Sequence, residues 1–123
     1  MDWKTLAVII VAIVAVFLWK RMSLISVDVA RKYLREGAIV VDVRSAGEFQ
    51  ADHLPNAVNI PLGEVNRLPQ KVKDKNQVLL LHCLSGTRSG MAAGKIKAMG
   101  YSHVFNMGSL GRAKMITSGA DLN

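Results

Sequence analysis

Residues 79–90 are Leu79-Leu80-Leu81-His82-Cys83-Leu84-Ser85-Gly86-Thr87-Arg88-Ser89-Gly90. This pattern predicts a buried strand, a tight loop and the first turn of a helix. Its start belongs to a short apolar run over residues 78–81, which is typical of a central strand in a parallel sheet. Residues 91–99 suit a helix that Gly100 ends as a left-handed cap. A cysteine between the two lies at the carboxyl end of a strand and faces a helix N-terminus, where open α/β sheets place their ligands.

Cys83 is the only cysteine in the chain and the candidate nucleophile. Unpaired backbone N–H groups and the helix dipole favour an anion at this position, so we expect them to lower the pKa of the thiol. The alternative is a buried, inert cysteine. Such a cysteine would not require the small residues, the arginine and the serine that follow Cys83 here, so their presence argues against this alternative. The residues that follow the cysteine form a nest for an anionic sulfur and a substrate- and persulfide-binding loop, which we expect to be partly exposed: Leu84, Ser85, Gly86, Thr87 and Arg88.

Two motifs resemble those of the single-domain rhodaneses, a family of sulfurtransferases. Residues 83–89 are similar to the family's active-site loop, Cys-x-x-Gly-x-Arg-Ser. Residues 41–49 (VDVRSAGEF) and 52–61 (DHLPNAVNIP) are similar to an upstream signature of Asp-Val-Arg, a Glu-Phe pair and His-Ile-Pro-Gly-Ala-x-Asn-Ile-Pro. The resemblance covers about residues 24–110 and implies a rhodanese-like α/β fold.

The resemblance also implies a reaction. The Cys83 thiolate would attack the outer sulfur of a donor such as thiosulfate and hold that sulfur as a persulfide, stabilised by the backbone N–H groups of residues 84–88. A thiol or cyanide would then accept the sulfur, which predicts ping-pong kinetics. The motifs include no metal-ligand spacing and no glycine-rich phosphate loop, so we expect no metal and no cofactor.

Two other functions stay open. Phosphatases and arsenate reductases resemble this fold, but their loop is one residue longer, Cys-x5-Arg, and the Cys-x4-Arg spacing here favours sulfur. A membrane-tethered binding or regulatory module without catalysis is the second alternative, against which the intact cysteine and loop argue.

The sequence departs from the family pattern near its C-terminus and in the loop. The family's tryptophan after a glycine pair is missing beyond Gly108-Ser109, which leaves the packing of the C-terminal segment open. Leu84 adds no charge to attract thiosulfate, so a protein-bound or thiol-linked donor is credible.

Four polar residues are expected to support the site structurally. Ser45 and Glu48 have the spacing of a capping box, so Asp42, Arg44 and Glu48 are interpreted as an ion-pair and capping network rather than as catalytic groups. Ser89 is assigned to the same supporting set. His53 is expected to bond to backbone, and His82 to face away from the thiol, because neighbours on a strand point to opposite sides.

The remaining pattern alternates helices with strands. Ser26 caps a predicted helix over residues 27–35, and Gly37 follows its end. The other predicted elements are a strand at 38–43, a short helix from Ser45 through Ala51, a strand at 58–60, helical turns at 63–68 and a last strand at 103–106. This order predicts an α/β fold with a mostly parallel sheet flanked by helices on both faces.

The N-terminal segment is apolar and uncharged from residue 6 to residue 19. The stretch from Trp3 to Trp19 would be about 25 Å long as a helix, the short end of what crosses a membrane. Tryptophans at both ends and lysines beside them suit the two interfaces. A cleaved signal peptide is the alternative, but no small-x-small site follows. We therefore predict a transmembrane anchor at residues 1–21 and a rhodanese-like domain at residues 22–123.

The distribution of charge predicts the orientation. Lys20, Arg21 and further basic residues follow the apolar stretch, so the positive-inside rule places the domain in the cytoplasm of what we take to be a bacterial inner membrane. The net charge of +7 is scattered without an aromatic-studded stripe, and lipid headgroups explain it better than nucleic acid does. The expected partners are a sulfane sulfur donor, a thiol acceptor and the membrane, with no nucleic acid.

Overall fold

The computed structural model describes residues 1–120, apart from the side chains of residues 20–22. Its helices are α1 (Trp3–Met22), α2 (Val27–Arg35), α3 (Ala46–Ala51), α4 (Leu68–Lys71), α5 (Thr87–Ala98) and α6 (Leu110–Ser118), with a 3₁₀ helix at Leu62–Arg67. Its strands are β1 (Ile39–Asp42), β2 (Val58–Asn59), β3 (Leu79–His82) and β4 (Val104–Gly108).

The strands form one parallel sheet in the order β2-β1-β3-β4. Apolar residues pack on both of its faces, because each strand of such a sheet presents alternate side chains to opposite sides. One core contains Cys83, Leu81 and the buried side of α5, and the other packs α2 and α6 against Leu80. The predicted parallel sheet with helices on both faces is confirmed.

The starts of α2 and α3 follow from local caps and agree with the predictions. The Ser26 hydroxyl accepts the Val29 N–H at the start of α2. Ser45 and Glu48 form the predicted capping box of α3, with the Glu48 carboxylate accepting the Ser45 N–H at 3.1 Å.

Two predicted boundaries were wrong. Helix α5 begins at Thr87 rather than at residue 91, because Gly86 takes a left-handed conformation (φ +98°) that turns the chain into the helix at once. A first helical turn was expected within residues 79–90, but residues 87–90 lack an apolar periodicity that would have defined where it begins. Strand β4 continues to Gly108 rather than ending at residue 106, and a bulge shifts its register against β3 between Leu81 and His82.

Helix α6 was not predicted at all. Ser109 caps it by accepting the Arg112 N–H at 3.1 Å, and Ala113 and Ile116 are buried against the α2 side of the sheet. Arg112 donates to the carbonyls of Met107 and Ile25 at 2.8 and 2.6 Å. The C-terminal segment is therefore packed without the family's tryptophan.

Helix α1 precedes the sheet and ends one residue beyond the predicted anchor boundary. Every described side chain from Trp3 to Trp19 is exposed. Within the part of the chain that the structure describes, no helix has the length and apolarity needed to cross a membrane. After α1, Leu24 bridges to Asn106 and the Ile25 N–H donates to the Asn106 carbonyl at 3.0 Å, which joins the chain to the outer side of β4.

Candidate active site

Cys83 directly follows strand β3 and is separated from helix α5 by a loop of three residues. Gly86 ends this loop, and its backbone lies so close to β4 that an added Cβ would be 3.2 Å from the Gly108 Cα. The position therefore requires glycine for both its left-handed backbone and its close approach. The tight turn brings the backbone N–H groups of the loop and of the first helical turn around the sulfur.

The Cys83 sulfur accepts hydrogen bonds from its own loop. The Gly86 N–H donates to Sγ at 2.9 Å, and the Ser89 hydroxyl lies 3.5 Å away. Burial alone would raise the pKa of the thiol, but hydrogen bonds from the hydroxyl and amide of Ser89 and from the amides of Gly86 and Ser85 outweigh it and lower the pKa of Cys83. The structure thus places Ser89, expected as structural support, against the sulfur itself, because α5 begins earlier than predicted.

The loop and the cysteine differ in exposure. Leu84, Ser85 and Thr87 are exposed, as expected, with Leu84 at 57% of its full surface. Cys83 itself has no exposed surface. The sulfur therefore lies beneath the exposed rim of the loop.

Arg88 does not present a free positive charge to the sulfur. Its guanidinium donates to both carboxylate oxygens of Glu48, at 2.7 and 3.0 Å. This hydrogen bonding to Arg88, followed by the Ser45 N–H, lowers the pKa of Glu48 to about 2. The same pairing raises the pKa of Arg88, with a smaller contribution from Cys83. Arg88 is thus mainly the partner of Glu48, and the sequence did not predict this pair.

Asp42 and Arg44 form a buried ion pair at the end of β1. The Asp42 carboxylate accepts from the Arg44 backbone N–H at 2.9 Å and from its guanidinium at 2.7–3.0 Å. Arg44 also donates to the Asp52 carbonyl, and the Asn59 amide donates to the carbonyls of Asp42 and Arg44. These bonds fix the turn between β1 and α3, and with it the position of Glu48.

Neither neighbouring histidine is placed to act as a base on the thiol. His82 is fully buried, its Nδ1 lies 3.2 Å from the Cys83 carbonyl oxygen, and burial lowers its pKa. Its Nε2 has no hydrogen-bond partner and lies 3.6 Å from the Asp42 carboxylate. His53 forms a hydrogen bond with the Phe49 carbonyl at 2.8 Å, and its ring stacks on the Phe49 ring. It lines a cavity of about 410 Å³ that no residue of the Cys83 loop lines. The amides of the loop therefore stabilise the thiolate without a paired base.

Asn106 is the site residue that the sequence interpretation missed. Its side-chain oxygen accepts from the Ser89 hydroxyl at 2.7 Å and from the Gly108 N–H at 2.8 Å, while its amide nitrogen donates to the Gly86 carbonyl at 3.1 Å. The irregularity in β4 directly follows this residue, and bulges often occur beside active sites, so Asn106 contacts the Ser89 hydroxyl and the Gly86 carbonyl of the loop that holds the sulfur. The sequence did contain one indication of this role, because Asn106 is the only polar residue in the otherwise apolar run at residues 104–107.

Across residues 1–120, no group of three or more histidine, cysteine, aspartate or glutamate side chains is arranged to hold a metal ion. A single cysteine whose sulfur is held by loop amides at the end of a parallel strand is an arrangement that suits nucleophilic catalysis by the sulfur.

The chain belongs to the rhodanese-like domain family, whose sequence model matches residues 26–109. Thiosulfate sulfurtransferase PspE of Escherichia coli K12 is 42% identical over 71 residues, which cover 57% of this chain and 68% of the relative. A putative sulfur carrier protein of Bacillus subtilis, YrkF, is 36% identical over 72 residues, which cover 58% of this chain and 38% of the relative.

Solved structures support the same family. A rhodanese with anions from E. coli is 39% identical and has a TM-score of 0.59, over 62% of this chain and 91% of that one. A human single-domain sulfurtransferase shares the fold at 23% identity, with a TM-score of 0.61 over 79% of this chain and 96% of that one. The protein is an enzyme of the sulfurtransferase class, and α1 lies outside the region matched by the family model.

Proposed function

We propose that the protein transfers sulfane sulfur through a persulfide on Cys83, from thiosulfate or a thiol-linked persulfide to a thiol or cyanide. The observation that carries the proposal is the contact of the Gly86 N–H with the sulfur at 2.9 Å, in a loop whose amides lower the pKa of the thiol. These groups stabilise a negative charge on the sulfur before and after transfer. The relatives named above, a thiosulfate sulfurtransferase and a sulfur carrier, agree with this chemistry.

The reaction is two displacements at sulfur. The Cys83 thiolate attacks the outer sulfur of thiosulfate, a new S–S bond forms, and the old S–S bond breaks with its electron pair on the departing sulfite. The acceptor thiolate or cyanide then attacks the outer sulfur of the persulfide, and the electron pair of that bond returns to Cys83. The thiolate is regenerated without an external oxidant or reductant.

The rim of the loop favours a donor of low charge. Arg88 is neutralised by Glu48, and the exposed rim residue Leu84 is apolar. The loop therefore attracts a dianion such as thiosulfate weakly, and we infer that a thiol-linked or protein-bound persulfide is the preferred donor.

Steady-state kinetics with both substrates varied tests this function. We expect parallel double-reciprocal lines with cyanide as acceptor, and a higher kcat/KM for cysteamine persulfide, whose ammonium offsets the persulfide charge, than for thiosulfate, a dianion. Cys83→Ser is the matched control, because serine is similar in size and a much poorer nucleophile at neutral pH. Intersecting lines, or transfer by the serine variant, would contradict the persulfide mechanism, and an inactive wild-type protein would favour a binding module.

We further propose that α1 attaches the domain to a membrane, with the domain on the cytoplasmic side of a bacterial inner membrane. The support is an apolar helical surface that is exposed from Trp3 to Trp19, flanked by tryptophans and followed by basic residues. Burying such a surface in lipid is favourable, and the basic residues that follow it would lie against the anionic headgroups of the cytoplasmic leaflet.

Membrane fractionation of an expressing bacterium tests the attachment. The full chain should stay in the membrane fraction in high salt, since an apolar contact does not depend on charge, and a matched Ile10→Arg, Ile13→Arg variant should be released. Because Cys83 is buried, the topology needs an exposed reporter, such as Lys73→Cys in a Cys83→Ser background. An impermeant maleimide should label it only after spheroplasts are permeabilised. Release of the full chain by salt, or labelling of intact spheroplasts, would overturn the attachment or the orientation, respectively.

A further inference from the structure

Ser89 has one hydroxyl proton and three acceptors within reach. Its Oγ lies 2.7 Å from the Asn106 side-chain oxygen, 3.2 Å from the Gly86 carbonyl oxygen and 3.5 Å from the Cys83 sulfur. A hydroxyl donates one hydrogen bond at a time. The shortest of these distances indicates that, in this arrangement, the proton goes to Asn106.

The orientation of the Asn106 amide is fixed by the backbone. The Gly108 N–H, a donor, faces the side-chain oxygen at 2.8 Å, and the Gly86 carbonyl, an acceptor, faces the side-chain nitrogen at 3.1 Å. A flipped amide would oppose donor to donor and acceptor to acceptor. The atom that faces Ser89 is therefore an acceptor, and the asparagine is only 7% exposed, so water does not replace it readily.

We propose that Asn106 is a positioning residue whose side-chain oxygen competes with the Cys83 sulfur for the hydroxyl proton of Ser89. While the sulfur is a neutral thiol, the Ser89 proton is held by Asn106. When the sulfur becomes a thiolate or a persulfide anion, its charge makes it the better acceptor, and the hydroxyl turns from Asn106 to the sulfur. The hydroxyl thus follows the charge on the sulfur through the reaction, and Asn106 limits how strongly it stabilises the resting thiolate.

The test is the titration of the Cys83 thiolate by its ultraviolet absorbance, which needs no access to the buried sulfur and no donor. The chain has one cysteine, so Cys83→Ser is the blank. Asn106→Leu removes the competing acceptor at similar volume. We expect it to increase the ratio of thiolate to thiol at a given pH on the order of tenfold, as one hydrogen bond to a charged group would. Ser89→Ala should decrease this ratio, and should do so more strongly in the Asn106→Leu background.

A purely structural role predicts the opposite sign. If Asn106 only anchored the loop, Asn106→Leu would loosen the Gly86 amide from the sulfur and reduce the thiolate ratio to the same extent with or without Ser89. That result would overturn the proposal. The charged groups near the sulfur, Arg88 on α5 and Glu48 on α3, are identical in all variants, so they do not produce the difference.

A measurement on the native residues keeps the proposal testable if Asn106→Leu does not fold. The NMR signal of the Asn106 side-chain carbonyl carbon should move as Cys83 titrates, because it loses the Ser89 hydrogen bond, and this movement should be largely absent in Ser89→Ala. Equal movement in both proteins would overturn the proposal. The inference rests on the proposed role of Cys83 as the nucleophile, but both readouts are made without sulfur transfer, so an inactive enzyme and a failed titration are distinguishable.

Discussion

Glu48 and Arg88, forty residues apart in sequence, are joined by two hydrogen bonds of 2.7 and 3.0 Å between carboxylate and guanidinium. The pair connects the capping box of α3 to the first turn of α5, and both side chains are about one-third exposed. Its effect is to remove a free positive charge from beside the Cys83 sulfur while holding the arginine over the loop. We therefore expect the ion pair to control how strongly the site attracts anionic donors.

Breaking this pair from the acidic side should increase activity with an anionic donor. Glu48→Gln retains a side chain that suits the cap and frees the Arg88 charge to face the sulfur and the donor. We expect kcat/KM for thiosulfate to rise by about two- to fivefold, the range of an exposed ion pair, with a small change for cysteamine persulfide, which has no net charge. Arg88→Ala should lower the thiosulfate value instead. If each variant changed kcat/KM for the two donors by the same factor, Glu48 would not determine the preference for donors of low charge.

Gly86→Ala should damage both the fold and the thiolate. The left-handed backbone costs an alanine about 1–2 kcal/mol, and its Cβ would lie 3.2 Å from the Gly108 Cα. We expect a lower midpoint of denaturation and a higher pKa of Cys83, because the Gly86 N–H moves from the sulfur. Gly94→Ala on the same helix is the matched control, since its Cβ would meet nothing within 4 Å, and it should be neutral or stabilising. Equal effects of the two substitutions would refute the role of Gly86.

His82 should make the protein less stable in mild acid. Burial lowers its pKa in the folded state, so between that pKa and the value of 6.5 typical of an unfolded chain, the unfolded state binds more protons. The free energy of unfolding should therefore fall as the pH decreases below about 6.5, and be constant with respect to this group above that range. His82→Gln should flatten the pH dependence in this window. A wild-type curve as flat as that of His82→Gln would contradict the buried, neutral histidine.

The parts of the fold that depend on short sequence separations were predictable. The Ser45–Glu48 capping box, the helix after Ser26 and the apolar run before Cys83 each involve contacts over a few residues, and the sequence pattern indicates them directly. The parallel sheet followed from the alternation of these elements. The cysteine and its loop were identifiable because a thiol, a glycine and an arginine at this spacing have a chemical rationale.

The missed features depend on long-range packing. Helix α6 is rich in small and polar residues and is defined by burial of Ala113 and Ile116 on a sheet that the local sequence does not specify. Asn106 contacts Ser89 and the Gly86 carbonyl where a bulge shifts β4 against β3. The Glu48–Arg88 pair similarly requires α3 and α5 to meet over the carboxyl ends of their strands.

The central claim, a sulfur atom carried on Cys83, is tested most directly by mass spectrometry of the intact protein. After incubation with thiosulfate and removal of the excess, the wild-type mass should increase by one sulfur atom, and the fragment containing Cys83 should carry it. Addition of cyanide should remove that mass and release thiocyanate in equal amount. The account would be contradicted if the folded wild-type protein gained no sulfur from thiosulfate or from glutathione persulfide. It would also be contradicted if the Cys83→Ser variant gained as much sulfur as the wild-type protein.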